Sequence, residues 1–327
     1  MAFSVLPRAA SRRTVYTLLG VLLVFLLLPA VLDDFGVAFM MDILIWGLLA
    51  ISFDFIYGYT GLLSLGQSVF FGLGVYGLTL AVIHWGAGLW VAMGVGLLLS
   101  AIAAAILGYF AVKVRGHGFI IVTVVGATIV TLIAYAWKAV TGGDDGLVFT
   151  RPLLTLGPWA LDLTEQLPRY YYVVCSVALA YFACFRILRS PLGRVFELIR
   201  ENEDRARCVG YNTGLYKLIS FTIAGVIAGL SGVLYSMYVS YASAEFFNWL
   251  YSAEAVVWTL FGGAGTLYGA LIGAGILIYL KETLSSQWAY TYQIALGVII
   301  IIVVTFTPSG LVGTTKRIVA NMRKRTE

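Results

Sequence analysis

Charge is what this 327-residue chain has least of. Lys, Arg, Asp and Glu together make up 11% of it, against about 25% in soluble domains. That excludes a soluble domain of useful size. Cysteine is almost as scarce: Cys175, Cys184 and Cys208 form no disulfide framework and read as free thiols. Two histidines, His84 and His117, without paired cysteines leave little for a metal site. No G-x-x-x-x-G-K-[ST] string occurs, so the chain does not hold ATP through a P-loop. A net charge of +5 is no nucleic-acid signal, because the basic residues sit in short loops and tails, where they set membrane topology.

What is there is oil. Hydrophobic residues reach 61% and mean hydropathy is +0.93. Runs of about 18–25 apolar residues recur, the length that crosses about 30 Å of hydrocarbon. The expected fold is an all-α polytopic membrane protein of about ten membrane segments, some short or broken. They fall near 15–32, 38–57, 67–83, 88–112, 117–139, 170–188, 217–240, 252–262, 264–281 and 289–307. The eighth is too short to span comfortably and reads as half of a broken helix ending at Gly262-Gly263-Ala264-Gly265. Ser11-Arg12-Arg13 before the first run suggests a secretory or twin-arginine signal, but no small-x-small site closes it, so an uncleaved first span is expected.

The basic residues orient this drawing. With the N-terminus inside, seventeen fall on the inner side and four (Lys138, Arg151, Arg169 and Lys281) outside. Both termini are then expected in the cytoplasm. The expected divisions are an N-terminus over 1–14, a membrane domain over 15–313 and a basic tail over 314–327. The membrane domain would carry a long outer loop at 140–169, where Pro152, Pro158 and Pro168 break any helix, and a cytoplasmic loop at 189–216. The outer loop either docks a soluble partner or merely joins spans.

The cytoplasmic loop is the polar anomaly. Ser190 suits a helix cap, Pro191 the first helical position and Gly210 the residue just past the end. Between them Val195, Phe196, Ile199 and Ala206 share an apolar side, while Arg200, Glu201, Asp204, Arg205 and Arg207 occupy other faces. This predicts an amphipathic helix. Interfacial helices favour a purely basic polar face, so mixed charge points to a protein groove rather than lipid. Within the spans, Asp54 and Glu254 are costly in hydrocarbon and either face a pathway or sit near hydrated interfaces. Ser64, Gln67, Thr123, Thr128 and Thr131 either line a path or join helices.

Two resemblances bear on function. Gly229-Leu230-Ser231-Gly232 resembles the G-x-S-G string of rhomboid intramembrane proteases. Their serine needs a later histidine at mid-membrane depth, and here both histidines precede it, so these glycines read as packing residues. The second is broad. Gly193-Arg194, Ile199-Arg200-Glu201-Asn202-Glu203, Ala206, Gly210, Tyr216-Lys217-Leu218 and Phe221 resemble the cytoplasmic loop of ABC-importer permeases, most of all the second permease subunit of branched-chain amino acid importers. Gly58-Tyr59-Thr60-Gly61-Leu62-Leu63-Ser64-Leu65-Gly66-Gln67, Gly142-Gly143-Asp144-Asp145-Gly146-Leu147, Gly262 to Gly269 and Pro308-Ser309-Gly310-Leu311-Val312-Gly313 resemble further segments of that family. Gln67 departs from it: the family usually has histidine there, and glutamine cannot titrate.

The resemblance implies a subunit that is not itself an enzyme, in a bacterial plasma membrane, built as two inverted halves in which segments near 2–5 and 7–10 correspond. Its partners would be a second, homologous permease, two ATP-binding cassette subunits that hold ATP and Mg, an extracytoplasmic solute-binding protein and membrane lipid. No cofactor would be bound by this chain. The loop helix would couple to the ATPase through Phe196, Ile199, Arg200, Glu201, Glu203 and Gly210, with Phe196 and Ile199 as apolar anchors. Asp54, Ser64, Gln67, Thr123 and Glu254 are candidates to line the path. Branched-chain or other hydrophobic amino acids are the default substrate. Asp54 to Ser64 and Gly265-Thr266-Leu267 also resemble permeases for urea and short amides. A stand-alone secondary transporter or channel is the rival class.

Overall fold

A computed structural model describes residues 12–114, 116–156, 159–287, 294, 297, 298, 301, 305 and 310–315. Most of the tenth apolar segment, Pro308, Ser309, Arg8, Arg115 and the basic tail from residue 316 on lie outside the described residues.

The chain is a helical bundle. Its helices are α1 (Arg12–Leu27), α2 (Asp34–Thr60), α3 (Gln67–Trp85), α4 (Leu89–Ala111), α5 (His117–Ala136), the short α6 (Lys138–Thr141), α7 (Gln166–Leu188), α8 (Pro191–Glu201), α9 (Glu203–Cys208), α10 (Thr213–Val239), α11 (Trp249–Gly262) and α12 (Tyr268–Gln287). Six of them, α2, α3, α4, α5, α7 and α10, are long and apolar enough to cross a membrane. Several start earlier than the apolar runs because polar caps, not hydropathy, set their ends. Asp33 accepts from the Gly36 N–H before α2, and Asn212 from Leu215 before α10. Asn248 accepts from Leu250 before α11.

The loop at 140–169 departs from the expectation. Pro168 does not break a helix there, because it lies in the first turn of α7, where a missing N–H costs nothing. The loop also contains short strands. β1 (Leu147–Val148) pairs antiparallel with β4 (Tyr241–Ala242), and β2 (Leu154–Leu156) pairs with β3 (Trp159–Leu161). Arg151 donates to the carbonyls of Met237 and Tyr238 at 2.7 Å each, tying the loop to the end of α10.

Helix α10 is the hub, packed on α2, α3 and α4. Glycines set the distances. A Cβ at Gly74 would collide with the backbone of Gly229, and one at Gly232 with the carbonyl of Phe71. In lipid, where apolar burial gives little drive, such close backbone approach is the main source of helix association. The expectation that the Gly229–Gly232 string is packing therefore holds, and the Ser231 hydroxyl donates to the Ile45 carbonyl at 2.7 Å. The largest fully buried side chains include Phe53, Phe55, Phe70, Phe71 and Phe221.

Gly232→Ala is expected to lower stability by about 1–3 kcal/mol, the usual cost of overpacking a tight contact. Gly94→Ala, with open space around it, should be neutral. Thermal unfolding of the two variants in detergent checks this.

Candidate functional site

The polar loop folds into two helices, not the single one expected from Ser190 to Gly210. Ser190 does cap α8, accepting from the Leu192 N–H at 3.2 Å, and Pro191 takes the first position. The break falls at Asn202, whose backbone is extended (φ −163°, ψ 104°) and whose side chain accepts from the Arg205 N–H at 2.9 Å. Asparagine's own hydrogen bonding competes with the helix and starts a new one. Gly210 follows α9 with φ +97°, the left-handed residue that ends a helix.

The apolar side of this pair faces inward. Phe196 is fully buried and meets Phe55 of α2 edge to face at 6.0 Å. Ile199 packs with Val195, Ala206, Leu198 and Tyr216. The anchoring area that Phe196 and Ile199 were expected to offer a partner is therefore committed to this chain, because a short helix in water needs tertiary packing to persist. Glu201, Asp204, Arg205 and Val209 are left on the exposed side.

Arg200 and Glu203 complete the attachment. The Arg200 guanidinium donates to the Gly58 carbonyl near the end of α2. Glu203 takes the Lys217 ammonium on one oxygen; on the other it meets Arg207 at 2.5 Å and Thr213 at 3.1 Å. Burial pushes the Glu203 carboxyl up, but the hydrogen bond and charge of Lys217, with Thr213 and Arg207, outweigh it and hold the group below its ordinary range. Glu203 is thus a brace between α9 and α10.

Beneath Arg200 two backbone breaks meet. Helix α2 ends at Gly61 (φ +78°), and residues 263–267 break α11 from α12, with Leu267 at φ +46°. Asp54 is fully buried here, and its two oxygens accept from the N–H groups of Gly265 at 2.6 Å and Leu267 at 2.8 Å. A Cβ at Gly58 would lie 2.6 Å from the Gly265 nitrogen, so only glycine lets the two breaks touch. The sequence reading had Asp54 on a pathway or at a hydrated edge. Its position instead follows from the unpaired amides at the start of α12, which need an acceptor.

The other pathway candidates divide. Ser64 and Thr123 are fully buried, and their hydroxyls hold the segment between α2 and α3, accepting from Gly66 N–H at 3.1 Å and Leu65 N–H at 3.2 Å. Thr128 and Thr131 bond carbonyls of their own helix. Gln67, also fully buried, has neither amide atom partnered among the described residues. Glu254 is apart from all of these. It is half exposed, 3.5 Å from the Lys281 ammonium, on a cleft of about 530 Å³ between α2, α10, α11 and α12. Trp46, Tyr235, Tyr251 and Trp258 wall this cleft, and Asp42 lies in it, accepting from the Trp46 indole N–H at 3.1 Å. Asp42 escaped the sequence reading. Its signal was an acid within the second apolar run, the same that marked Asp54.

A multi-span helical bundle with a polar helix pair bolted to its helix breaks and an open cleft elsewhere has the build of a membrane permease. The chain belongs to the family of branched-chain amino acid transport system permease components, whose family model matches residues 36–304. It is similar to the high-affinity branched-chain amino acid transport system permease protein LivM of Escherichia coli K12, with 29% identity over 294 residues, 84% of this chain and 69% of the relative. LivM of Salmonella typhimurium is 28% identical over the same shares. LivH of Escherichia coli K12 is 21% identical over 82% of this chain and 91% of its own length. No solved structure matches the chain.

Two outcomes follow. Asp54→Ala leaves the Gly265 and Leu267 amides unpaired, and each such loss costs about 1–3 kcal/mol; a fall in the thermal unfolding midpoint checks it. Because the Glu203 carboxyl is depressed, its stabilising contribution is present above its ordinary value of 4.5 and is lost as pH falls below it. The protection of α9 amides against hydrogen exchange, taken relative to their intrinsic rate at each pH, should therefore fall below that pH, and Glu203→Gln should flatten the dependence.

Proposed function

We propose that this chain is the transmembrane subunit of an ATP-driven importer and forms half of a translocation pathway for branched-chain or other hydrophobic amino acids. Ten crossings with both termini cytoplasmic accord with the seventeen-to-four division of basic residues, and the arrangement in two inverted halves is what the family resemblance implies. The pathway would be completed by a second, homologous permease, as the likeness to both LivM and LivH suggests. Two ATP-binding cassette subunits would hold ATP and Mg inside the cell, and a solute-binding protein would deliver substrate outside. The chain itself would bind no cofactor.

The observation that carries this reading is the attachment of α8–α9. A helix pair that merely linked spans would need no fixed seat. This pair is fastened three ways: Phe196 in the core, Arg200 on the Gly58 carbonyl and Glu203 on Lys217. A push on its exposed side would reach α2, α10 and the α11–α12 break as a rigid displacement. A stand-alone transporter has no use for such a lever.

The residues that meet the ATPase are then Glu201, Arg205 and Gly210 on the exposed side, with Phe196, Ile199, Arg200 and Glu203 transmitting the movement. The double change Glu201→Arg with Arg205→Glu is expected to cut ATP-driven amino acid uptake about tenfold or more, as reversed charges across an interface do, with membrane insertion unchanged. Uptake into proteoliposomes reconstituted with the partner subunits measures this. Undiminished uptake by the double variant, or transport by the wild-type chain with no ATPase present, would end the proposal.

A further inference from the structure

The cleft beside Glu254 has a chemistry of its own. It carries three carboxyl groups, Asp42, Glu254 and Glu282, and one ammonium, Lys281. Among the described residues Asp42 is partnered by the neutral Trp46 indole N–H. A carboxylate in an apolar helix is costly unless a cation meets it, and the one ammonium of the cleft, Lys281, acts on Asp42 through its charge but is shared with Glu254. The Glu254–Lys281 pair, at 3.5 Å, is longer than a tight charged hydrogen bond of about 2.7–2.9 Å, so both groups can turn to another partner.

The walls are aromatic. Trp46 stacks on Tyr251 at 5.4 Å, with 7° between their planes, and meets Trp258 at 5.9 Å. Trp46 also stacks on Phe71 at 5.0 Å and is nearly buried, so what this wall offers the cleft is apolar surface for the body of a solute. The volume of about 530 Å³ suits a small solute.

We infer that this cleft binds a small solute bearing a primary ammonium group, with the ammonium at Asp42 and the aliphatic body against Trp46, Tyr251 and Trp258. A solute that also carries a carboxylate would direct it to Lys281 at the mouth. The site selects for the ammonium, so it takes an amino acid or an aliphatic amine and refuses a neutral amide such as urea. This deepens the transport reading, and rests on it for why a solute enters the cleft.

Trp46 and Trp258 report on the site directly. The full-length chain in nanodiscs is titrated with 3-methylbutylamine, L-leucine, the α-hydroxy acid analogue of leucine and urea, and tryptophan fluorescence is followed. The amine and leucine should give saturable changes that the double change Trp46→Phe with Trp258→Phe removes, while the hydroxy acid and urea give none. Asp42→Asn should weaken the amine by about tenfold or more, the worth of one charged hydrogen bond. If that variant misfolds by gel filtration, the half-exposed Glu254→Gln decides, with weakened amine binding expected. Equal responses to leucine and its hydroxy analogue, or amine binding unchanged in the folded variant, would overturn the inference. ATP-driven uptake by the reconstituted complex is scored separately: amine binding without uptake of any solute would remove the transport reading and leave the site standing.

Discussion

Backbone amides inside an apolar bundle must find acceptors, and the end of this molecule that carries α8 and α9 is arranged around that need. Where α11 gives way to α12, the amides of Gly265 and Leu267 have no helical partner. Left unpaired on burial, such groups are costly. Asp54, reaching across from α2, supplies both bonds with one side chain. The acid is tolerated in the core for the same reason the break is: each satisfies the other. Gly58 keeps the two segments close enough for this, and Arg200 then takes the carbonyl that Gly58 presents.

That arrangement makes α8 and α9 part of the helical bundle. Phe196 shares an edge-to-face contact with Phe55, one residue after Asp54. Displacing α8 therefore moves α2 and, through Asp54, the start of α12. On the other side Glu203 ties α9 to Lys217 in α10, which runs against α3 with backbone contacts too close for any side chain. Closely packed helices transmit displacement because their contacts cannot be compressed. The aromatic cleft lies where α10, α11 and α12 converge on α2, so the lever and the cleft share their helices.

Much of this was legible in advance. Long apolar runs announced the spans, Ser190 and Pro191 the start of α8, Gly210 the end of α9, and Gly262 to Gly265 the late break. What escaped was decided by partners distant in sequence. Asn202 could have continued the helix or restarted it, and its side chain settled that locally. Phe196 and Ile199 were expected to anchor a partner protein, but the same apolar side chains can equally anchor the helix to its own chain. Only the position of Phe55 and Tyr216 distinguishes the two. Asp54 and Asp42 share a helix and a residue type, yet one caps a turn and the other opens on a cleft, because they project toward different neighbours.

The sequence by itself determined the class of protein, since paucity of charge and runs of hydrocarbon length leave no alternative solvent. It also determined the orientation expected in the membrane, because arginine and lysine are held back on the inner side. Tertiary structure alone decided the roles of the few polar residues. A carboxylate in an apolar span has to be satisfied, but whether by an amide 211 residues away, as for Asp54, or by something entering a cleft depends on which helices pack beside it. That packing is set by glycines whose significance appears only when their neighbours are in place.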